Sequence, residues 1–249
     1  MQNGALIILK EDPEPGDTVI ITGDGLSALQ ERGPRLAMAV TVISRSGGSF
    51  RARIVSLEED RASLLVFEKM AGSAESKLSI TLLQALPEKE RMELIIEKTT
   101  ELGVDVVVPW KAEKGITLAE RDARQQKSVH WQKRANKAAK QCRRARVPSI
   151  MPFTSLEIAL EQTGDCGLRL SLSESYGSGL QEVLRSSSEV ESIGLLVGPE
   201  GGLVPRELEL AEEAGFVPVR LGARILRTET AAIVAVAIAQ YVLGDLGGG

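Results

Sequence analysis

The chain has 249 residues, enough for a sizeable core and one or two domains, and its 43% hydrophobic and 26% charged residues are typical of a soluble globular protein. We expect neither a secretory signal, since no charged leader precedes an apolar core, nor a membrane span, since the most apolar stretch, Ala231 to Leu243, is too short. Two cysteines without metal-ligand spacing and a single histidine argue against a disulfide framework or a metal site, and predict reduced thiols in a cytoplasmic protein.

The first 72 residues are predicted to form a small β-barrel-like domain. Short runs rich in Val, Ile, Leu and Thr alternate with glycine-rich or acidic breaks, as in an all-β unit. One helical turn or two is expected at Leu26 to Arg32, and Met70 to Lys77 has the small polar residues of a linker. The predicted strands are Ala5–Leu9, Thr18–Thr22, Ala37–Ser44, Ser49–Leu57 and Ala62–Phe67.

From Leu78 the pattern changes to that of an α/β domain with a parallel sheet. Leu78 to Leu86 is a nearly continuous apolar run, as expected for a strand buried on both faces. Lys89 to Leu102 has apolar residues at helical spacing and is closed by Gly103, and Val104 to Val108 is a second buried strand. A strand, a helix and a strand within about thirty residues indicate a βαβ unit.

A long helix is predicted from Ala119 to Ala145, and it concentrates positive charge. Ten Lys or Arg residues and one acid lie between Arg121 and Arg146, whereas the rest of the chain holds twenty basic and thirty-three acidic residues. Such a helix face is usually only solvated, but acids that could form i,i+4 ion pairs are nearly absent, so we favour contact with RNA phosphates. The candidate RNA-binding residues are Lys133, Lys137, Lys140, Arg144 and Arg146.

The remaining elements continue the α/β alternation to the end of the chain. Predicted extended segments are Pro148–Phe153, Leu168–Leu172, Ser192–Val197 and Phe216–Leu221, and predicted helices are Ser155–Gln162, Ser178–Arg185, Pro205–Ala214 and Thr228–Leu243. The last helix carries Ala, Val and Ile on nearly all sides, which indicates burial in a core or in a subunit interface.

Three short runs near the C-terminus each begin apolar and then break into glycine or polar residues: Leu195–Gly202, Val219–Gly222 and Ile225–Ala232. Ligands of open parallel sheets bind beyond the carboxyl ends of the strands, and glycine allows close approach to the backbone. The alternative is a tight turn after a core strand. Because neither the Walker pattern nor Gly-x-Gly-x-x-Gly is present, we expect a neutral or cationic ligand rather than a polyphosphate.

These runs resemble the bacterial 16S rRNA uridine-N3 methyltransferases of the SPOUT class. The resemblance covers essentially the whole chain, more weakly its first seventy residues. Its most specific part is Gly-Pro-Glu-Gly-Gly at Gly198–Gly202, followed by Leu-Gly-x-Arg-Ile-Leu-Arg-Thr-Glu-Thr-Ala at Leu221–Ala231. Weaker matches are Met92-Glu93, Ile96–Val104, Glu113, Gln141-Cys142, Arg144 and Arg146–Pro148.

The resemblance implies a PUA-like β-barrel RNA-binding domain at residues 1–72 and a SPOUT methyltransferase domain with a deep trefoil knot at residues 73–249. It also implies S-adenosylmethionine as cofactor, 16S rRNA or the small ribosomal subunit as partner, and a homodimer in which the knot helices pack together. Matched residue by residue, the cofactor-binding positions are Leu196, Gly198, Pro199, Glu200, Gly201, Gly202, Leu221, Gly222, Ile225, Leu226 and Arg227.

The implied chemistry suggests two catalytic residues. N3 of uridine must lose a proton, and an arginine can stabilise the negative charge that develops on the uracil carbonyls, which is the role we assign to Arg227. Glu229 is a candidate base or a residue that orients Arg227. The alternative for both is a structural pair at the start of a helix.

Departures from the family pattern occur on the expected RNA side. Ala28 stands where the family often has a histidine, Lys140 where an acid is usual, and Lys114-Gly115 replaces an element with serine or cysteine. Two other functions therefore stay open: a knotted methyltransferase with a different RNA target, and a non-catalytic rRNA-binding assembly factor.

Overall fold

A computed structural model describes residues 6–117, 119 and 130–247, and these residues form two compact units. The N-terminal unit contains the described residues up to Glu75 together with Asn136–Pro148. The C-terminal unit contains the described residues of Ser76–Ala135 and those from Ser149 onward. Most of the first half of the helix predicted at 119–145 lies outside the described residues.

The N-terminal unit is built on a mostly antiparallel sheet of five strands. These are β1 (Ile8–Leu9), β2 (Thr18–Ile21), β3 (Ala39–Ser44), β4 (Ser49–Leu57) and β5 (Ala62–Lys69). Their spatial order is β1-β3-β4-β5-β2, and only the pair β1 and β3 is parallel. The pairing of β4 with β5 shifts register twice, and such bulges bend a strand, so the sheet can curl around its core.

One apolar cluster fills this unit because the strands alternate inward and outward residues. Phe50, Ile54 and Leu64 are buried on the inner face, and helix α1 (Gly23–Gln30) adds Leu29 to the same cluster. Each such side chain contributes about 1.5–3 kcal/mol when it is removed from water. The helix expected as one or two turns is therefore a short helix fixed by its apolar face.

The C-terminal unit contains a sheet of seven strands in which every neighbouring pair is parallel, which confirms the predicted parallel α/β architecture. The spatial order is β10-β12-β9-β11-β6-β7-β8. In chain order the strands are β6 (Ser79–Ala85), β7 (Val106–Trp110), β8 (Ser149–Ile150), β9 (Leu168–Leu172), β10 (Ser178–Gly179), β11 (Ser192–Val197) and β12 (Val217–Arg220).

Among the described residues that follow β6, six helices have defined bounds. They are α2 (Lys89–Glu101), α3 (Trp131–Gln141), α4 (Leu156–Glu161), α5 (Leu180–Ser186), α6 (Pro205–Glu213) and α7 (Thr228–Leu243). Local sequence explains where two of them begin: the Ser155 hydroxyl accepts a hydrogen bond from the amide of Ile158 at the start of α4, and Pro205 occupies the first turn of α6. Helix α7 buries Ala232, Ala235, Val236 and Ala239.

The helix predicted at Ser178–Arg185 begins two residues late. Ser178 and Gly179 instead form strand β10 against β12, and α5 starts at Leu180. The reason is a close approach just before this strand: a Cβ at Gly177 would lie 2.2 Å from the carbonyl oxygen of Pro218, and Gly177 has φ +101°. Only glycine fits there, and the chain leaves it in an extended conformation.

The predicted C-terminal end of the basic helix is wrong by four residues. Helix α3 ends at Gln141 rather than Ala145, because Arg143 has φ +64°, a left-handed conformation that terminates a helix. Within the N-terminal unit, Arg144 then pairs with Glu75 at 2.7 Å, with side chains only 6% and 10% exposed. The Glu75 carboxylate also accepts the backbone N–H of Arg146 at 2.7 Å.

Candidate active site

A cavity of about 170 Å³ lies in the C-terminal unit beside the carboxyl ends of β9, β11 and β12. This is the edge of a parallel sheet where ligands bind, because the loops that follow neighbouring strands converge there. The lining comes from the segments at the ends of these three strands, from α6 and from the start of α7. Its residues are Leu172–Tyr176, Val197–Pro199, Gly202, Leu203, Leu208, Leu221, Gly222, Arg224, Leu226, Thr228 and Ala231.

Glycine shapes two walls of the cavity. Gly202 has φ +68° and Gly222 has φ +139°, values that other residues rarely adopt, and a Cβ at either position would meet no protein atom within 4 Å. Their missing side chains therefore leave open space and exposed backbone. Leu172, Leu221 and Leu226 supply apolar surface nearby. The cavity thus combines an apolar slot with accessible backbone groups.

A chain of hydrogen bonds fixes the glycine-rich loop to the start of α7. The Thr228 hydroxyl donates to the carbonyl oxygen of Gly198 at 2.8 Å. Gln84, fully buried on β6, donates through Nε2 to Thr228 Oγ1 at 3.0 Å and to the carbonyl oxygen of Ala85 at 2.9 Å. Thr228 therefore joins the Gly198 loop directly to the start of α7, and Gln84 attaches both to strand β6.

The tip of the glycine-rich loop is attached to two other segments. Glu200 forms an ion pair with Arg91 of α2, and Lys114 Nζ donates to the carbonyl oxygen of Gly201 at 3.2 Å. A third of the Arg91 side chain and nearly half of the Glu200 side chain are exposed, so the pair adds little to stability. It does direct Glu200 away from the cavity lining.

The buried carboxylate of Glu207 supports the segment that leads from this loop into α6. It accepts the backbone N–H of Val204, the residue before the helix, at 2.9 Å, and the backbone N–H of Glu113 at 2.7 Å. Glu207 is 6% exposed. Both amides would otherwise lack a partner, and the negative charge in the first turn also suits the helix dipole.

We expect Glu207→Ala to lower the free energy of unfolding by about 1–2 kcal/mol, because it removes a helix cap and leaves an amide unsatisfied. Urea denaturation followed by circular dichroism measures this. Glu209→Ala, on the exposed side of the same helix, is the matched control and should stay within about 0.5 kcal/mol of wild type. Equal stability of the two variants would contradict the supporting role.

The structure brings together part of the predicted cofactor set. Gly198, Pro199, Gly202, Leu221, Gly222 and Leu226 all line the cavity. Leu196 does not, because it points into the apolar core of the sheet and is fully buried. Glu200 and Gly201 are engaged by Arg91 and Lys114 instead. Ile225 is 79% exposed, and Arg227 is exposed beside the cavity rather than in its lining.

Residues absent from the prediction also contribute to the cavity. The segment after β9, Ser173–Tyr176, forms one wall, and Leu203, Arg224 and Thr228 form parts of others. Burial raises the pKa of the Tyr176 hydroxyl, and the nearby Glu212 carboxylate adds to this shift. Tyr176 therefore stays neutral at physiological pH. The available sequence signal was the polar run directly after a predicted strand.

The two candidate catalytic residues lie at the start of α7 but differ in environment. Arg227 is the N-cap residue, its carbonyl oxygen accepts the amide of Ala231 at 2.8 Å, and its side chain bonds to none of the described residues. Glu229 is 9% exposed, and its Oε2 atom has no hydrogen-bond partner among the described residues. Arg227 and Glu229 do not bond to each other.

The candidate RNA-binding residues divide into two groups. Lys133, Lys137 and Lys140 are exposed on α3, as the helical spacing predicts. Arg144 is not on that face, because the helix has already ended and the side chain is buried against Glu75. The backbone of Arg146 is fixed by the same carboxylate. The residues of α3 therefore remain candidates for phosphate contact, whereas Arg144 is an internal ion pair.

Within the described residues, no cluster of His, Cys, Asp or Glu has the arrangement of a metal site. In the same part of the chain, no helix is both long and apolar enough to cross a bilayer. Cys142 and Cys166 are free cysteines, and burial raises the pKa of the Cys166 thiol.

Comparison with known proteins gives a consistent result. Residues 74–240 match the model of the RNA methyltransferase domain family. Ribosomal RNA small subunit methyltransferase E of Bacillus subtilis is 30% identical over 248 residues, covering 97% of this chain and 96% of the relative. The enzyme of the same name from Mycobacterium bovis is 33% identical over 230 residues, covering 90% of this chain and 86% of the relative.

A solved structure agrees with these relatives. The Ribosomal RNA small subunit methyltransferase E of Neisseria gonorrhoeae, bound to S-adenosyl methionine, superposes with a TM-score of 0.68 at 32% identity, covering 96% of this chain and 98% of that one. The similarity thus extends over both units and includes the segments that form the cavity. The chain belongs to the RNA methyltransferase family, in the group of ribosomal RNA small subunit methyltransferase E.

Proposed function

We propose that this protein transfers the methyl group of S-adenosylmethionine to N3 of a uridine in the 16S rRNA of the small ribosomal subunit. The observation that carries the proposal is the glycine-walled cavity at the carboxyl ends of β9, β11 and β12, in a chain of this family. A relative with 32% identity over 96% of the chain is described as bound to S-adenosyl methionine.

The residues of the cavity fit this cofactor. Leu172, Leu221 and Leu226 offer an apolar slot suited to an adenine ring, and the space beside Gly202 and Gly222 admits polar parts of the molecule close to the backbone. Glu174 of the lining is exposed and could accept hydrogen bonds from sugar hydroxyls or attract a cationic group. The bound cofactor would supply an electrophilic methyl group to the nucleotide.

The chain's own contribution is positioning and charge stabilisation. Arg227 stands next to the cavity-lining residues Leu226 and Thr228, and its guanidinium is available to the carbonyl oxygens of a uracil that loses its N3 proton. A cation at the N-terminus of a helix is disfavoured by the helix dipole, and Arg227 has no side-chain partner among the described residues, which supports a functional reason for its position. Glu229 remains the proposed base or orienting residue, with its role to be tested by Glu229→Gln.

The finer features of the fold are part of the same proposal. We assign residues 1–72 to a PUA-like barrel that binds RNA and residues 73–249 to a SPOUT domain with a trefoil knot. The curling of the five-stranded sheet supports the former. The position of β11 between β6 and β9, and of β12 between β9 and β10, supports the latter, because later strands enter between earlier ones.

We further propose that the protein acts in the cytoplasm as a homodimer. Helix α7 is the support for pairing, because several of its apolar residues are only partly buried within one chain. These are Ile233, Val234, Ala237 and Ile238, and Tyr241 nearby is 63% exposed. Removal of this surface from water would stabilise a pair of subunits.

The test is transfer of a labelled methyl group from S-adenosylmethionine to small subunits isolated from a strain that lacks this protein. We expect the label in N3-methyluridine after digestion of the 16S rRNA. Label in another nucleoside or RNA would favour the enzyme with a different target. Cofactor binding without methylation of any RNA, together with full biological function of Arg227→Ala, would favour the assembly factor.

A further inference from the structure

A second, smaller cavity of about 40 Å³ lies entirely within the N-terminal unit, between the start of β3, the facing part of β4 and the end of α3. Among the described residues, no acidic side chain contributes to its lining. Five cations do: Arg32, Arg51, Lys140, Arg143 and Arg144. Such a concentration of positive charge around a small space is costly unless carboxylates or a bound anion compensate it.

Two of the five cations are already satisfied within the protein. Arg144 is paired with the buried carboxylate of Glu75. Arg32 donates to the carbonyl oxygen of Ala145, and burial lowers its pKa to about 10, with the carboxylates of Glu75 and Glu31 opposing the shift. Arg32 therefore stays charged at neutral pH and contributes to the field in the cavity.

The other three cations, Arg51, Lys140 and Arg143, are freer to contact a ligand than Arg32 and Arg144 are. Arg51 donates through Nη1 to Thr41 Oγ1 at 2.7 Å, and Thr41 in turn donates to the carbonyl oxygen of Arg143 at 2.8 Å. The side chains of Arg143 and Lys140 form no hydrogen bond or ion pair with the described residues. Thr41 thus ties the Arg51 guanidinium to the backbone of Arg143.

The charges of Arg51 and Arg143 disfavour each other. The pKa of Arg51 is lowered first by burial and second by the Arg143 guanidinium, while Glu68 opposes the change. An anion placed between the two arginines would relieve this repulsion. Arginine is suited to the task because its planar donors match the oxygens of a phosphate in pairs.

We propose that this cavity binds one phosphodiester of an RNA backbone, with Arg51 and Arg143 as the direct donors and Lys140 as an additional charge at its rim. The choice of RNA rests on the proposed function. The cavity is too small for a nucleobase but admits phosphate oxygens. Lys137 is exposed one turn before Lys140 on the same helix. It extends the positive surface beyond the cavity, where the neighbouring phosphates of an RNA backbone would lie.

The experiment measures the affinity for single-stranded RNA by fluorescence anisotropy over a series of salt concentrations. Arg143→Gln and Arg51→Gln should each weaken binding about tenfold at moderate salt and reduce the salt slope by about 0.7, the share of one phosphate contact on a single strand. Arg45→Gln is the matched control, because Arg45 is an exposed residue of the same unit at the opposite end of β3. It should change neither value appreciably.

Further measurements separate this proposal from the proposed function and from a folding defect. Arg143→Lys should recover much of the affinity, and cofactor affinity by calorimetry should be unchanged in all variants. If Arg51→Gln fails to fold, the RNA affinity of Arg143→Gln alone decides the outcome, because Arg143 is exposed. Weaker RNA binding by the variants supports the cavity even if no methyl transfer is found. Two results would overturn the proposal. In the first, the protein binds inorganic phosphate, but Arg51→Gln and Arg143→Gln bind RNA as tightly as Arg45→Gln does. In the second, the wild-type protein does not bind RNA.

Discussion

Arg227→Ala is expected to lower kcat for methyl transfer by about 10²–10³, the usual effect of removing one group that stabilises developing negative charge. The backbone of Arg227 is fixed as the cap of α7, so its side chain extends from a defined position between two cavity-lining residues. No described residue bonds to its guanidinium, so the substitution should leave the fold intact. Single-turnover kinetics at saturating cofactor and RNA measures the chemical step directly.

Two variants control this result. Arg227→Lys keeps the charge but not the planar pair of donors, and should lie between wild type and alanine. Arg185→Ala removes an exposed arginine of α5 that does not line the cavity, and should leave kcat unchanged. An unchanged kcat in Arg227→Ala, with only KM raised, would assign Arg227 to RNA binding rather than to charge stabilisation.

Gly222→Val should weaken the binding of S-adenosylmethionine about a hundredfold or more, equivalent to roughly 2.7 kcal/mol. Gly222 lines the cavity, and the volume a side chain would take up is open there. Valine would therefore occupy the space of the ligand rather than collide with the protein. At φ +139° it would also be strained by about 1–3 kcal/mol, which would move the loop or lower stability. Calorimetric titration gives the affinity.

Gly16→Val separates strain from obstruction. Gly16 has φ +107° and equally open surroundings, but it lies in the N-terminal unit. Gly16→Val should therefore lose about as much stability as Gly222→Val and keep the cofactor affinity of the wild type. If Gly222→Val binds the cofactor as tightly as Gly16→Val does, the cavity beside Gly222 is not the cofactor site.

The architecture was predictable where the apolar pattern is unambiguous. Strands Leu168–Leu172 and Ser192–Val197 and helix Thr228–Leu243 have the predicted bounds, because buried strands and an all-round apolar helix leave continuous runs. The end of α3 was not predictable. Its termination depends on a left-handed arginine, Arg143, where glycine would have given a sequence signal.

The parts of the candidate site that follow from local sequence were predictable, whereas the parts that depend on strand order were not. The glycines at 198, 202 and 222 were identifiable because each follows a strand that ends at the ligand-binding edge. The wall formed by Ser173–Tyr176 was not, because its place depends on β9 lying between β11 and β12. Strand order is a property of the whole sheet, and no local pattern encodes it. For the same reason the link from Gln84 to Thr228 was not foreseen.

The strand order also determines when each strand can pair with its neighbours during synthesis on the ribosome. Strand β6 is paired on one side by β7, but its other neighbour, β11, follows about a hundred residues later, roughly 5–20 s at ordinary elongation rates. During that interval β6 has an unpaired apolar edge, the kind of surface on which nascent chains aggregate. We therefore expect this edge of the nascent C-terminal unit to need protection until β11 has left the ribosome.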